Sequence, residues 1–83
     1  MLEGRIAARH RVNKQAKINY GGDKYPCTVR DISATGAALE LPDLTPKIVL
    51  KAASFTLEIP EDRLKLPSRI VWQRGYRMGV TFD

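Results

Sequence analysis

The stretch Cys27 to Leu41, CTVRDISATGAALEL, decides how this chain is read. Two strand-like runs, Cys27-Thr28-Val29 and Ala37 to Leu41, flank a polar corner, Asp31-Ile32-Ser33-Ala34-Thr35-Gly36. In extended backbone, side chains alternate between faces, so Asp31 and Ser33 point one way and Ile32 the other, toward a core. Gly36 stands where the chain must bend or let a ligand approach the backbone, because glycine alone takes positive φ freely. The corner reads in two ways. It is a hairpin turn built from common turn residues, or it is a rim carrying a carboxylate, a hydroxyl and bare amides that can hold a ligand.

Outward from the corner, the flanks read as strands. Upstream, Ala16, Ile18 and Tyr20 alternate with Lys17 and Asn19, and Gly21-Gly22-Asp23 is a hairpin signal. Tyr25, Cys27 and Val29 then alternate against Pro26, Thr28 and Arg30, with Pro26 marking an edge or a bulge. Downstream, Pro42 to Lys47 is a loop, and Ile48 to Ala53 fits either a short strand or a helical turn. Phe55, Leu57 and Ile59 share a face, Pro60-Glu61-Asp62 turns the chain, and Leu64 to Trp72 forms a long strand bent around Pro67. After a tight turn at Arg74-Gly75-Tyr76, Met78, Val80 and Phe82 alternate. About six strands at this turn spacing predict an all-β fold, a small antiparallel barrel that gives each strand an apolar inner face.

The 83 residues form one domain with a thin core: a chain of this size buries about 60–65% of its unfolded surface. Residues 1–11 show no apolar period and read as a flexible basic arm, leaving 12–83 for the barrel. The net charge of +5 lies wholly in residues 1–30, where seven basic side chains face two acidic ones; residues 31–83 carry seven of each. That asymmetry points to an anionic partner. No apolar run approaches the roughly 20 residues of a membrane span, and the start lacks a secretory apolar segment, so no membrane insertion and a cytoplasmic location are expected. Cys27 is the sole cysteine and His10 the sole histidine, which leaves no disulfide, no metal site and no ready catalytic triad. A binding protein is expected, not an enzyme.

Arg5 and Arg9 stand four residues apart, and Arg11 follows. Guanidinium forks suit phosphate oxygens and the O6/N7 edge of guanine, while a carboxylate such as Asp31 accepts from the opposite edge of the base. With Arg5-x-x-x-Arg9 followed by Asp31-x-Ser33-x-x-Gly36, the chain resembles the PilZ family of receptors for cyclic di-GMP, a bacterial second messenger. The likeness continues through Arg69 to Phe82, RIVWQRGYRMGVTF, which is similar to the family's closing strand, turn and Gly-x-x-Phe ending.

The resemblance implies a PilZ-like split barrel of six antiparallel strands, with the arm folding over one end to meet the corner. It implies that cyclic di-GMP is the ligand, with no other cofactor. Arg5 and Arg9 would take guanine edges and phosphates, Asp31 and Ser33 the guanine base, and Gly36 would leave room. His10, Arg11, Arg30 and Trp72 are auxiliary candidates; Arg30 also reads as a structural ion pair and Trp72 as core or rim. Gly4 stands where the family often has another arginine, which bears on whether one ligand or a stacked pair enters. The closing strand runs to Asp83 with no C-terminal helix. A downstream protein partner is expected, a homodimer is an option, and no DNA is expected. The rivals are a PilZ-like docking module without nucleotide and a small barrel for single-stranded nucleic acid, which would need exposed aromatics interleaved with basic residues on a strand face.

Overall fold

A computed structural model describes residues 10–43 and 45–83. Six strands are present: β1 His10–Tyr20, β2 Asp23–Ile32, β3 Gly36–Glu40, β4 Ser54–Ile59, β5 Leu64–Arg74 and β6 Arg77–Phe82. They close into a barrel in the order β1-β2-β3-β6-β5-β4, every pair antiparallel. The ambiguous segment after Pro46 resolves as a single helical turn, α1 Lys47–Leu50, which delivers Val49 into the core. Pro60–Asp62 forms a 3-10 turn, closed by Arg63 in the left-handed region at φ 55°.

The hairpin turns follow from their glycines. Gly21 and Gly22 both take positive φ (64° and 87°), as a tight turn matched to the strand twist requires. At the β5–β6 turn Gly75 has φ 59° and Tyr76 does not share the sign, so one glycine suffices. Pro26 and Pro67 sit where pairing is one-sided: the β2–β3 ladder starts at Thr28 and the β5–β6 ladder at Ser68. A missing N–H is tolerated there.

Ile18, Leu39, Leu57, Ile59 and Met78 are fully buried, and each contributes about 1.5–3 kcal/mol by leaving water. Cys27 belongs to the same core, where burial pushes its thiol up to about 12. Buried Ser68 donates to the Leu66 carbonyl at 2.8 Å, so its hydroxyl is satisfied.

Two departures from alternation place the site. In β2, Val29 pairs with Leu39 but Asp31 pairs with Ala38, so Arg30 is an extra residue. In β5, Ile70 pairs with Val80 but Trp72 pairs with Gly79, so Val71 is extra. Each β-bulge shifts the phase of its strand by one. Counted by twos from buried Val29, Asp31 would face the core; counted from Ile70, so would Trp72. The bulges turn both side chains to the outer wall. Past them, Ile32 packs against the core as the sequence implied.

β1 begins earlier than its apolar alternation suggested. His10 pairs with Ile32 and Arg11 with Asp31, so these two residues belong to the barrel and not to an arm ending at residue 11. They were hard to see because Val12 is the single apolar residue among His10 to Gln15.

Candidate functional site

Pairing sets one row of outward residues across five neighbouring strands. Arg11 stands opposite Asp31, Asp31 opposite Ala38, Ala38 opposite Gly79, and Gly79 opposite Trp72. The middle of that row is a methyl and a hydrogen, so the wall dips between Asp31 and Trp72. A cavity of about 340 Å³ occupies the dip, lined by Arg11, Val12, Arg30, Asp31, Ala38, Leu39, Trp72 and Arg77. It lies at the small end of the range for small-molecule sites.

Trp72 is 47% exposed and lies across the Gly79 backbone. A Cβ on Gly79 would overlap the indole Nε1, so the glycine is what lets the ring lie against the sheet. One face of the indole is held in place; the ring remains available for stacking. Three guanidiniums, from Arg11, Arg30 and Arg77, border the cavity against the single carboxylate of Asp31. Arg30 Nε also lies 3.6 Å from the Glu40 carboxylate, so it serves a surface ion pair as well as the rim. The positive excess in a concave, partly apolar recess suits a planar base carrying phosphate.

Of the residues singled out from sequence, the structure brings together Arg11, Arg30, Asp31 and Trp72. Arg5 and Arg9 lie outside the described residues. His10 is exposed at the start of β1 and does not line the cavity. Ser33 and Gly36 form the corner itself, which is a four-residue turn. The Ser33 amide donates to the Gly36 carbonyl at 2.8 Å, and the Ser33 hydroxyl accepts from the amides of Thr35 (3.2 Å) and Gly36 (3.3 Å). The turn is tied to β6, because the Thr35 carbonyl accepts from the Phe82 amide at 2.8 Å and the Thr81 hydroxyl at 3.1 Å.

Gly36 does not adopt positive φ. Its need is steric: a Cβ would overlap the Val80 carbonyl oxygen of β6. The glycine of the corner therefore lets β3 approach β6, a need separate from the bend expected of it.

Arg77 and Ala38 escaped the sequence reading. The signal for Arg77 was its parity: two residues before Gly79 in a strand whose Met78 and Val80 point inward, it must point outward. A glycine inside an alternating strand also marks a close approach by something else, here the indole.

Elsewhere on the wall, the Glu58 carboxylate accepts from Asn19 Nδ2 at 3.1 Å and lies 3.1 Å from Lys24 Nζ. The Asn19 hydrogen bond, followed by that from Lys24, holds Glu58 below the usual glutamate range. Hydrogen bonding to Asp62 raises Lys14 above the ordinary lysine value. Among the described residues, no group of three or more His, Cys, Asp and Glu is placed to hold a metal, and no helix is long and apolar enough to cross a membrane.

No curated protein matches the chain. The family model of the PilZ domain matches residues 3–83, and with its closed six-stranded barrel the chain belongs to the PilZ domain family.

Proposed function

We propose that this chain is a cyclic di-GMP receptor that works by binding alone. PilZ domains are cyclic di-GMP-binding modules and not enzymes. The observation that carries the reading to this chain is the row from Arg11 through Asp31, Ala38 and Gly79 to Trp72, which sets a carboxylate, guanidiniums and an aromatic wall around one recess.

In this reading Asp31 accepts from the N1–H and N2–H₂ groups of a guanine lying over Ala38. Trp72 bounds the base, while Arg11 and Arg77 meet phosphate. Arg5 and Arg9 add guanidiniums from the arm. Arg9 immediately precedes His10 in sequence, and His10 pairs with Ile32 beside the corner. Closing the arm over the ligand presents an altered surface to a partner. Ser33 and Gly36 act chiefly by fixing the turn that follows Asp31. A bidentate arginine–guanine contact contributes about 1–3 kcal/mol, and ordering arm residues costs about 1–2 kcal/mol each. The net is a moderate affinity.

Isothermal titration with cyclic di-GMP, with GTP and cyclic di-AMP as controls, tests the proposal. Saturable binding of cyclic di-GMP alone is expected, and the molar ratio gives one ligand or a stacked pair. Absence of binding by titration and by an orthogonal method would overturn it.

A further inference from the structure

Beyond the recess, the wall continues into the β5–β6 hairpin, where Val71, Arg74 and Tyr76 are left unused by the nucleotide. From Arg63 to Phe82 the chain carries five basic residues and no acidic one. Arg74 and Arg77 are cross-strand partners on the outer face, and neither forms an ion pair with any other described residue. Like charges set directly opposite each other disfavour a sheet; Arg77 has Glu40 opposite it on β3, whereas Arg74 has only Arg77 opposite it. With Trp72 they line a second recess of about 290 Å³.

Apolar exposure concentrates at the same place. Val71 (61%), Trp72 (47%) and Tyr76 (38%) are three of the four large hydrophobic side chains exposed among the described residues. The backbone is also underused here. β4 pairs with β5 only as far as Arg69, so from Val71 to Arg74 β5 has a strand on one side only. The overhanging half of β1 is guarded by Lys14 with Asp62 and Glu61; among the described residues, no ion pair stands guard over Val71 to Arg74 of β5.

We infer that the hairpin from Val71 to Arg77 is a docking surface for an acidic, extended segment of a partner protein. Its carboxylates meet Arg74 and Arg77, and its apolar side chains cover Val71 and Tyr76. Charge selects this occupant. The arm of this chain carries Arg5 and Arg9 against Glu3, and a second copy brings the same basic hairpin, so both are repelled. Val71, Arg74 and Tyr76 do not line the recess beside Asp31, whereas Trp72 and Arg77 line both recesses, so the segment docks on the nucleotide-free protein and shares Arg77 with any bound nucleotide.

The probe is a short fluorescent peptide alternating glutamate and valine, titrated into the whole chain by anisotropy, with a lysine–valine peptide as control. Saturable binding of the acidic peptide alone is expected, with amide shifts in the wild-type protein confined to Val71 through Arg77 and their neighbours. Arg74→Glu and Val71→Asp should each weaken binding at least about tenfold, with thermal melts reporting that the variants fold. The wild-type shift map decides even if a variant does not fold. Absence of binding, shifts elsewhere on the barrel, or an affinity indifferent to Arg74→Glu would overturn the inference. So would a dimer of this chain abolished by the same substitutions, or tighter binding of oligothymidylate than of the peptide.

Discussion

Among the carboxylates on the outer wall of this barrel, Glu58 and Asp31 have surroundings that differ in kind. Glu58 is 8% exposed; one oxygen is taken by Asn19 and the other by Lys24, and its charge is balanced where it stands. Asp31 stands on a concave wall where three guanidiniums outnumber it and an indole closes the far side. The first arrangement knits β1, β2 and β4 together. The second leaves positive potential over an apolar floor, which a barrel at rest does not need. Glu58 serves the fold, and Asp31 stands in the recess where the proposed anionic ligand would be received.

The contrast breaks most simply at the carboxylates themselves. Asp31→Ala should lower cyclic di-GMP affinity about hundredfold, the upper part of the 1–3 kcal/mol expected for a paired base contact, while Glu58→Gln leaves it unchanged. Titration calorimetry on both variants decides, and equal losses would erase the distinction. Gly79→Val sharpens the role of the floor. The added side chain lifts Trp72 off the sheet, which should weaken the ligand about tenfold, within the range for one lost stacking contact. It should also shift the emission of this lone tryptophan toward that of a hydrated indole.

Smaller effects separate turn from ligand. Ser33→Ala removes the acceptor of two corner amides and should cost about 1 kcal/mol in urea unfolding. If affinity falls much further than stability, Ser33 touches the nucleotide as well. On the Glu58 side the handle is pH. Its folded pKa is depressed, so its contribution is full above the ordinary glutamate value of 4.5 and is lost as pH falls through the lower folded value. The acid limb of the thermal stability curve should flatten in Glu58→Gln, and cyclic di-GMP binding at neutral pH should not respond.

Most of the barrel was legible because alternation and turn chemistry agree. Ala16 and Ile18, Cys27 and Val29, Leu57 and Ile59, Met78 and Val80 all face inward as their spacing implies. The site was legible only in part. Asp31 and Trp72 were picked out, but the devices that turn them outward are single extra residues, which read as noise against a period of two. The clue in β2 was a disagreement of phase, with Cys27 and Val29 counting one way and Ile32 the other. The mouth of the barrel hid β1 for a different reason: a strand paired on one side needs little apolar pattern, so His10 and Arg11 resembled an arm.

Because Arg30 and Val71 act as spacers, the recess depends on residue count as much as on residue identity. Losing the codon for either would put Asp31 directly after Val29, or Trp72 directly after Ile70, leaving the side chain on the outer wall but removing the local bend and twist that the bulge gives its strand. At β2 the deletion would also take the Arg30 guanidinium from the rim, so a relative could keep Asp31 and the corner yet present a recess of different shape and charge. The arginine and corner motifs do not report that shape, and the two bulges are the feature to compare.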